Sequence, residues 1–191
     1  MRHTIRTDSN RMPNHDIPAD IIDRAARIRL ACFAVDGTRT DGRLWFDADG
    51  REAKAFSVLD GQGLALLRKS GIEVAFVTAR NSAAASHRAR DLGVRSCVGI
   101  GDKFGCVQGL TTELGITLEQ VSFMGDDLPD LQVMRAVGLS VAPASAHAWT
   151  RERAHWCTTA RGGEGAAREL CDLLLSAQGH VDALLAAVDA P

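Results

Sequence analysis

The chain has 191 residues, of which 46% are hydrophobic and 24% charged, enough for one sizeable core and too short for two full domains. A formal charge of -2 and an aromatic content of 5%, with no tyrosine, exclude a nucleic-acid or membrane-surface binder from the expected classes.

In chain order, the opening stretch MRHTIRTDSNRMPNHD is polar and has no apolar run. It predicts a mobile tail over 1–18 and argues against a signal peptide. PADIIDRAARI reads as a short helix leading into a domain over 19–180. Ile28–Val35 is a buried strand that runs into Asp36 and Gly37. RLWFDADGREAKAFSV holds two short strands around Asp49 and Gly50, which predicts a hairpin over 43–58. Further strands are expected at Glu73–Val77, Ser96–Val98, Val121–Met124, Leu139–Ala142 and Trp156–Thr158. Helices are expected at Gln62–Ser70, Ser82–Asp91, Lys103–Leu114, Asp127–Val137 and Ala166–Ala177, with 181–191 as a C-terminal tail. The alternation predicts an α/β fold, a Rossmann-like parallel sheet with helices on both faces, an inserted hairpin and no cap domain.

Five scattered cysteines (Cys32, Cys97, Cys106, Cys157 and Cys171) form no C-x-x-C pair and read as free thiols of a cytoplasmic protein. Six histidines show no zinc-ligand spacing. No apolar run reaches the ~20 residues that span a bilayer.

Four polar stretches fall at predicted C-terminal strand ends: AVDGTRTDG, VTAR, GIGDK and GDDLPD. Ligands bind at that edge of open α/β sheets. A single strand-end aspartate is equally well a helix cap. GDDLPD, however, crowds Asp126, Asp127 and Asp130 together, a repulsion that a hard divalent cation such as Mg2+ relieves. Lys103 opens a helix whose N-terminus is already positive, a placement that suits an anion such as phosphate. Thr78 offers a hydroxyl donor, and Arg80 a bidentate grip on a phosphate or carboxylate. TARGGEG, residues 159–165, is either a flexible connector or an anion-binding loop.

These stretches, in this order, resemble the haloacid dehalogenase superfamily of aspartate-nucleophile phosphatases. KAFSVLDGQG, GDDLPD, VGLSVAPASAH and GGEGAARELCDLLLSAQG are similar to its 3-deoxy-D-manno-octulosonate 8-phosphate phosphatase branch, over about residues 27–180. The resemblance implies a magnesium-dependent phosphomonoesterase acting on a phosphorylated sugar acid, and a homotetramer. It implies that position 34 holds the nucleophile, with Asp36 as general acid and base and its carbonyl on the metal. Thr78 and Lys103 would bind the phosphoryl group, Asp126 would ligate the metal, and Asp127 would hold a metal-bound water or Lys103. Asp60, Arg80, Arg161 and Arg168 are the implied substrate-binding residues, the last two reaching across a subunit interface.

Two positions depart from that pattern. The nucleophile position is Ala34, which can neither attack phosphorus nor ligate a metal. Arg39 stands where the branch carries an apolar leucine or methionine. An engineered aspartate-to-alanine change accounts for the first, and natural divergence toward a pseudo-phosphatase accounts for both. The reading is therefore a phosphatase scaffold without turnover. The alternatives are a binder of a phosphorylated ligand or protein partner, or a scaffold for another sugar-acid or aromatic phosphate.

Overall fold

Strand β1 (Leu30–Phe33) lies inside a six-stranded, all-parallel sheet. The computed structural model describes residues 17–189, so the expected N-terminal tail, apart from Ile17 and Pro18, lies outside the described residues. The other strands are β4 (Glu73–Thr78), β5 (Arg95–Val98), β6 (Val121–Met124), β7 (Leu139–Ala142) and β8 (Trp156–Cys157), in spatial order β5-β4-β1-β6-β7-β8. Leu30 pairs with Glu73 on one side and Val121 on the other, and Phe33 with Phe76 and Met124. The strand order reverses beside β1, which opens a crevice at the C-terminal ends of β1 and β6.

Side chains alternate across the sheet and feed two cores. Ala31, Phe33 and Val35 face helices α1 (Ala19–Ala25), α2 (Val58–Lys69), α3 (Ala83–Leu92) and α7 (Ala166–Ala177). Leu30, Cys32 and Ala34 face α4 (Lys103–Leu114) and α5 (Leu131–Ala136). Burial on both faces explains why the central strands are apolar throughout and do not alternate. Helices α2, α3 and α4 begin at polar caps: Ser57 accepts from the Asp60 amide, Ser82 from that of Ala85, and Asp102 from that of Gly105.

Between β1 and α2 the chain inserts only a hairpin, β2 (Trp45–Phe46) paired antiparallel with β3 (Glu52–Ala53), and no cap domain. Helix α2 starts earlier than the sequence suggests, at its Ser57 cap. The helix expected over Asp127–Val137 divides into a 3-10 turn, Leu128–Asp130, followed by α5, because Pro129 sits in the first turn. A one-turn helix α6 (Ala148–Arg151) was not anticipated. Residues 181–189, expected as part of a C-terminal tail, form α8 (Val181–Asp189) instead. Val181 and Leu184 pack against the first core. The pattern 181, 184, 185, 188 is an apolar helical stripe, so the signal was present in the sequence. No single helix among the described residues is long and apolar enough to cross a membrane.

Candidate active site

The loops after β1, β4, β5 and β6 converge on one cleft of about 180 Å³, lined among others by Ala34, Asp36, Thr78, Arg80, Lys103 and Asp126. Four sequence-distant stretches thus meet because their strands end side by side. Ala34 is 2% exposed and closes the floor of the cleft with a methyl group. Its carbonyl accepts a hydrogen bond from the Thr38 hydroxyl. The amides of Thr38, Arg39 and Thr40 all turn back to the Val35 carbonyl, which winds the loop tightly after Asp36. Gly37, at φ 76°, lies under the Asp126 carboxylate, where an added Cβ would come within 2.0 Å of Oδ2. Only glycine permits that approach.

Asp36 is held by a residue that the sequence did not single out. Lys54, on the chain leaving the hairpin, donates to Asp36 Oδ1, and its side chain is 1% exposed. Lys54 also pairs with Glu52 at 3.2 Å. Glu52 further accepts from Arg80 Nη2 at 2.7 Å and from the Ser82 hydroxyl at 2.6 Å. Burial works against ionisation of Glu52, yet the hydrogen bonds from Ser82, Arg80 and Lys54 pull it down to about 2. Arg80, expected to grip a ligand, is turned toward Glu52, with its Nε 3.9 Å from Asp36 Oδ2. Neither Lys54 nor Glu52 lies in a strand-end motif; Lys54 opens the KAFSVLDGQG stretch and Glu52 follows the DADG turn, and nothing in either pattern marks them as reaching the cleft.

On the other wall, Lys103 Nζ binds Asp130 Oδ1 at 2.6 Å, with Asp130 2% exposed. Of the two roles expected for Asp127, a metal-bound water or Lys103, the second falls to Asp130: Asp127 is exposed and its Oδ1 accepts from the Leu128 amide at 2.7 Å. Asp130, being the residue that enters the core, is the one positioned to neutralise the lysine. Its Oδ2 also accepts from the Asp126 amide at 3.0 Å. Thr78 is 4% exposed, and its hydroxyl oxygen accepts from the Arg80 amide, leaving the hydroxyl proton to donate.

Asp126 forms no ion pair among the described residues. Burial, and next the Asp130 carboxylate, push it up to about 7. A half-buried carboxylate crowded in this way suits a cation. Ala34 adds no side-chain oxygen to it at the floor of the cleft. Among the described residues no three His, Cys, Asp or Glu side chains gather as a metal-holding group. Magnesium fits here with a depleted donor set, since it tolerates water in place of a protein oxygen.

Three expected substrate-binding residues lie elsewhere in the single chain. Asp60 is corrected outright: its side chain is 0% exposed, 3.7 Å from Arg39 Nη1, and its Oδ1 accepts from the Arg168 amide at 2.9 Å. It caps α7 from inside the core. Arg39 is itself fully buried, its guanidinium carbon 5.9 Å and 5.3 Å from the ring centroids of Phe33 and Phe76. None of its three nitrogens is hydrogen-bonded. Arg168 pairs with Asp172 at 2.7 Å, and Arg161 is exposed beside the glycine loop; neither lines the cleft. That loop is packed against the Asp36 loop: the Gly163 amide donates to the Thr38 carbonyl at 3.0 Å. A Cβ on Gly162 would lie 1.9 Å from the Gly37 carbonyl oxygen.

A family model described as haloacid dehalogenase-like hydrolase matches residues 99–170. A 3-deoxy-D-manno-octulosonate 8-phosphate phosphatase of Yersinia pestis is 44% identical over 164 residues, covering 85% of this chain and 88% of the relative. Among solved structures, a hypothetical protein from Xanthomonas campestris superposes with a TM-score of 0.91 at 58% identity, over 94% of this chain and 100% of that one. The Moraxella catarrhalis 3-deoxy-D-manno-octulosonate 8-phosphate phosphatase, solved with magnesium, phosphate and KDO, gives a TM-score of 0.86 at 40% identity, over 88% and 98%. Identity of this order across most of both lengths is decisive. The chain belongs to the haloacid dehalogenase-like hydrolases, in the branch of the 3-deoxy-D-manno-octulosonate 8-phosphate phosphatases.

Proposed function

We propose that this chain keeps the phosphate-binding half of a magnesium-dependent phosphomonoesterase site and has lost the step that breaks the ester. Its ligand is a phosphorylated sugar acid of the kind that its relatives' names describe. Thr78 and Lys103 bind the phosphoryl oxygens, the first as a neutral donor and the second as a charge on the cleft wall. Arg80 and Lys54, tethered by Glu52, orient the rest of the ligand near Asp36. Asp36 would meet the leaving oxygen as general acid, and Lys54 fixes its orientation. Asp126 and the Asp36 carbonyl would hold Mg2+, which supplies charge neutralisation for the phosphoryl group.

One observation carries the reading. The floor of the cleft, where an in-line nucleophile must stand, is the methyl group of Ala34. Asp36 is committed to Lys54, and Asp130 to Lys103. Without a nucleophile, turnover falls by about 10⁴–10⁶ and the residue comes from binding and electrostatics. Exposed Leu44, Trp45 and Phe46 on the hairpin support a homotetramer that covers them. Arg161 and Arg168 would then serve a neighbouring cleft. The free cysteines suit a reducing cytoplasm.

The test is hydrolysis of a panel of sugar-acid and aromatic phosphates by the chain and by Ala34→Asp, with phosphate binding measured calorimetrically for both. Binding without turnover in the parent, and turnover in Ala34→Asp, is expected. A folded, phosphate-binding Ala34→Asp that stays inert would favour a pseudo-phosphatase shaped further by Arg39. Robust turnover by the parent would overturn the proposal.

A further inference from the structure

Ser140 of β7 is fully buried, and both its amide and its carbonyl face the β8 side of the sheet. β8 pairs with β7 at Trp156 and Cys157, opposite Val141 and Ala142, so it begins too late to offer a carbonyl to the Ser140 amide. The His155 side chain fills that place. Its Nδ1 lies 3.0 Å from the Ser140 amide nitrogen and 3.0 Å from the Ser140 hydroxyl oxygen. A backbone N–H can only donate, so Nδ1 supplies the lone pair and the ring proton sits on Nε2. The His155 amide completes the cluster, donating to the Ser140 carbonyl at 3.0 Å and to its Oγ at 3.1 Å. His155 is itself exposed, so protons reach the ring. The strip that follows is joined to the cleft loops by backbone bonds. The Thr158 amide donates to the Ala142 carbonyl, that of Ala144 to Ala160, that of Gly162 to the Ser145 hydroxyl, and that of Gly163 to the Thr38 carbonyl beside Asp36.

We propose that His155 is an acid-sensitive staple, whose protonation at Nδ1 frees residues 155–163 and with them their hold on the Asp36 loop. A proton on Nδ1 takes the lone pair that faces the Ser140 amide. The imidazolium can still donate to the Ser140 hydroxyl, yet the buried amide is left without an acceptor. That loss falls on a strand only two residues long. The charges around the ring are few. α1 presents Arg24 and Asp20, with Arg24 anchored on the Gly138 carbonyl at 2.7 Å. On the ring's own segment Glu152 and Arg153 pair with each other at 3.5 Å, and β8 adds the Cys157 thiol. β7 brings no charged residue. Partial burial, and next Arg24, lower the ring's pKa from 6.5, with Asp20 opposing them. The staple is therefore whole above the unfolded value of 6.5 and lost as pH falls through the lower folded one. It acts through backbone contacts, whatever the cleft binds.

The experiment follows the full chain from neutral pH into acid, reading histidine ring protonation by nitrogen NMR and backbone opening by amide exchange. At neutral pH the His155 Nδ1 is expected bare and the Ser140 amide protected. As the ring takes its proton, exchange corrected for intrinsic rates should rise on the order of tenfold across 156–163, the Gly163 amide included, while β1 and β6 hold. His155→Asn offers a carbonyl oxygen near the Nδ1 position and cannot titrate, so its exchange should stay flat over the same range. Should that variant not fold, the parent measurement decides alone. A ring that protonates while 156–163 stays protected overturns the proposal. So does acceleration shared equally by β1 and β6, acid sensitivity unchanged in His155→Asn, or a ring still neutral when the whole chain unfolds.

Discussion

The buried pair of Arg39 and Asp60 makes an unequal partnership, and the inequality is measurable. At the 3.7 Å between Arg39 Nη1 and Asp60 Oδ2, Coulomb attraction at an effective dielectric of about 20 is roughly 4 kcal/mol. Desolvating each ion opposes this by several kcal/mol, so the pair contributes little net stability. The two ions differ in what remains when the other is removed. Asp60 keeps the Arg168 amide and the positive end of α7, a 12-residue helix. The Arg39 guanidinium has no hydrogen bond and keeps only the faces of Phe33 and Phe76. Asp60→Asn therefore strands a buried cation and should destabilise by about 3–5 kcal/mol. For a chain of this length that lowers Tm by roughly 6–20 °C. Arg39→Leu puts an apolar side chain between the two rings and should stay within about 1–2 kcal/mol of the parent. Arg39→Leu/Asp60→Asn should recover most of the single Asp60→Asn loss, a strongly non-additive cycle. Urea denaturation of the four proteins at neutral pH measures it. Equal losses for the two single substitutions, or simple additivity, would refute the reasoning.

Three other outcomes are expected. In titration calorimetry magnesium binds the parent weakly, Ala34→Asp more tightly and Asp126→Asn not at all; equal affinity in Asp126→Asn would remove Asp126 from the metal site. Glu52 falls from 4.5 to about 2 on folding, so its contribution is complete above the higher value and disappears as pH falls through the lower one. The stability advantage of the parent over Glu52→Gln should accordingly be flat at pH 5 and above and shrink toward pH 2, and an advantage that grows in acid would contradict the network. Trp45→Ser/Phe46→Ser, on the exposed hairpin, should lower the mass found by light scattering while leaving the fold intact by circular dichroism; an unchanged mass would mean the hairpin joins nothing.

What the sequence disclosed depended on how far each signal had to reach. Strands Val121–Met124 and Leu139–Ala142 were legible to the residue, as were helices Lys103–Leu114 and Ala166–Ala177, because burial on two faces or one writes a local pattern. The meeting of Asp36, Thr78, Lys103 and Asp126 followed from strand ends sharing one edge of the sheet. Partner choice was not local. Lys103 chose Asp130 over Asp127 because a proline-started 3-10 turn points Asp130 inward and Asp127 outward. Lys54 reaches Asp36 through the fold-back of a hairpin, which no periodicity encodes. Asp60 looked like a ligand contact within its motif, yet it serves a helix end more than a hundred residues away in sequence.

The seam where Gly162 meets the Gly37 carbonyl also determines what carries Arg161. No side chain stands between the two backbones, and the Gly163 amide is bonded to Thr38 one residue further on. Arg161 is therefore held from two sides, by the Asp36 loop through the two glycines that follow it and by the Ala166 amide of α7, which donates to its carbonyl at 3.4 Å. A displacement of that loop would reach the outward-facing arginine through backbone alone, with two glycines as the teeth. Any substituent at position 162 would disengage them.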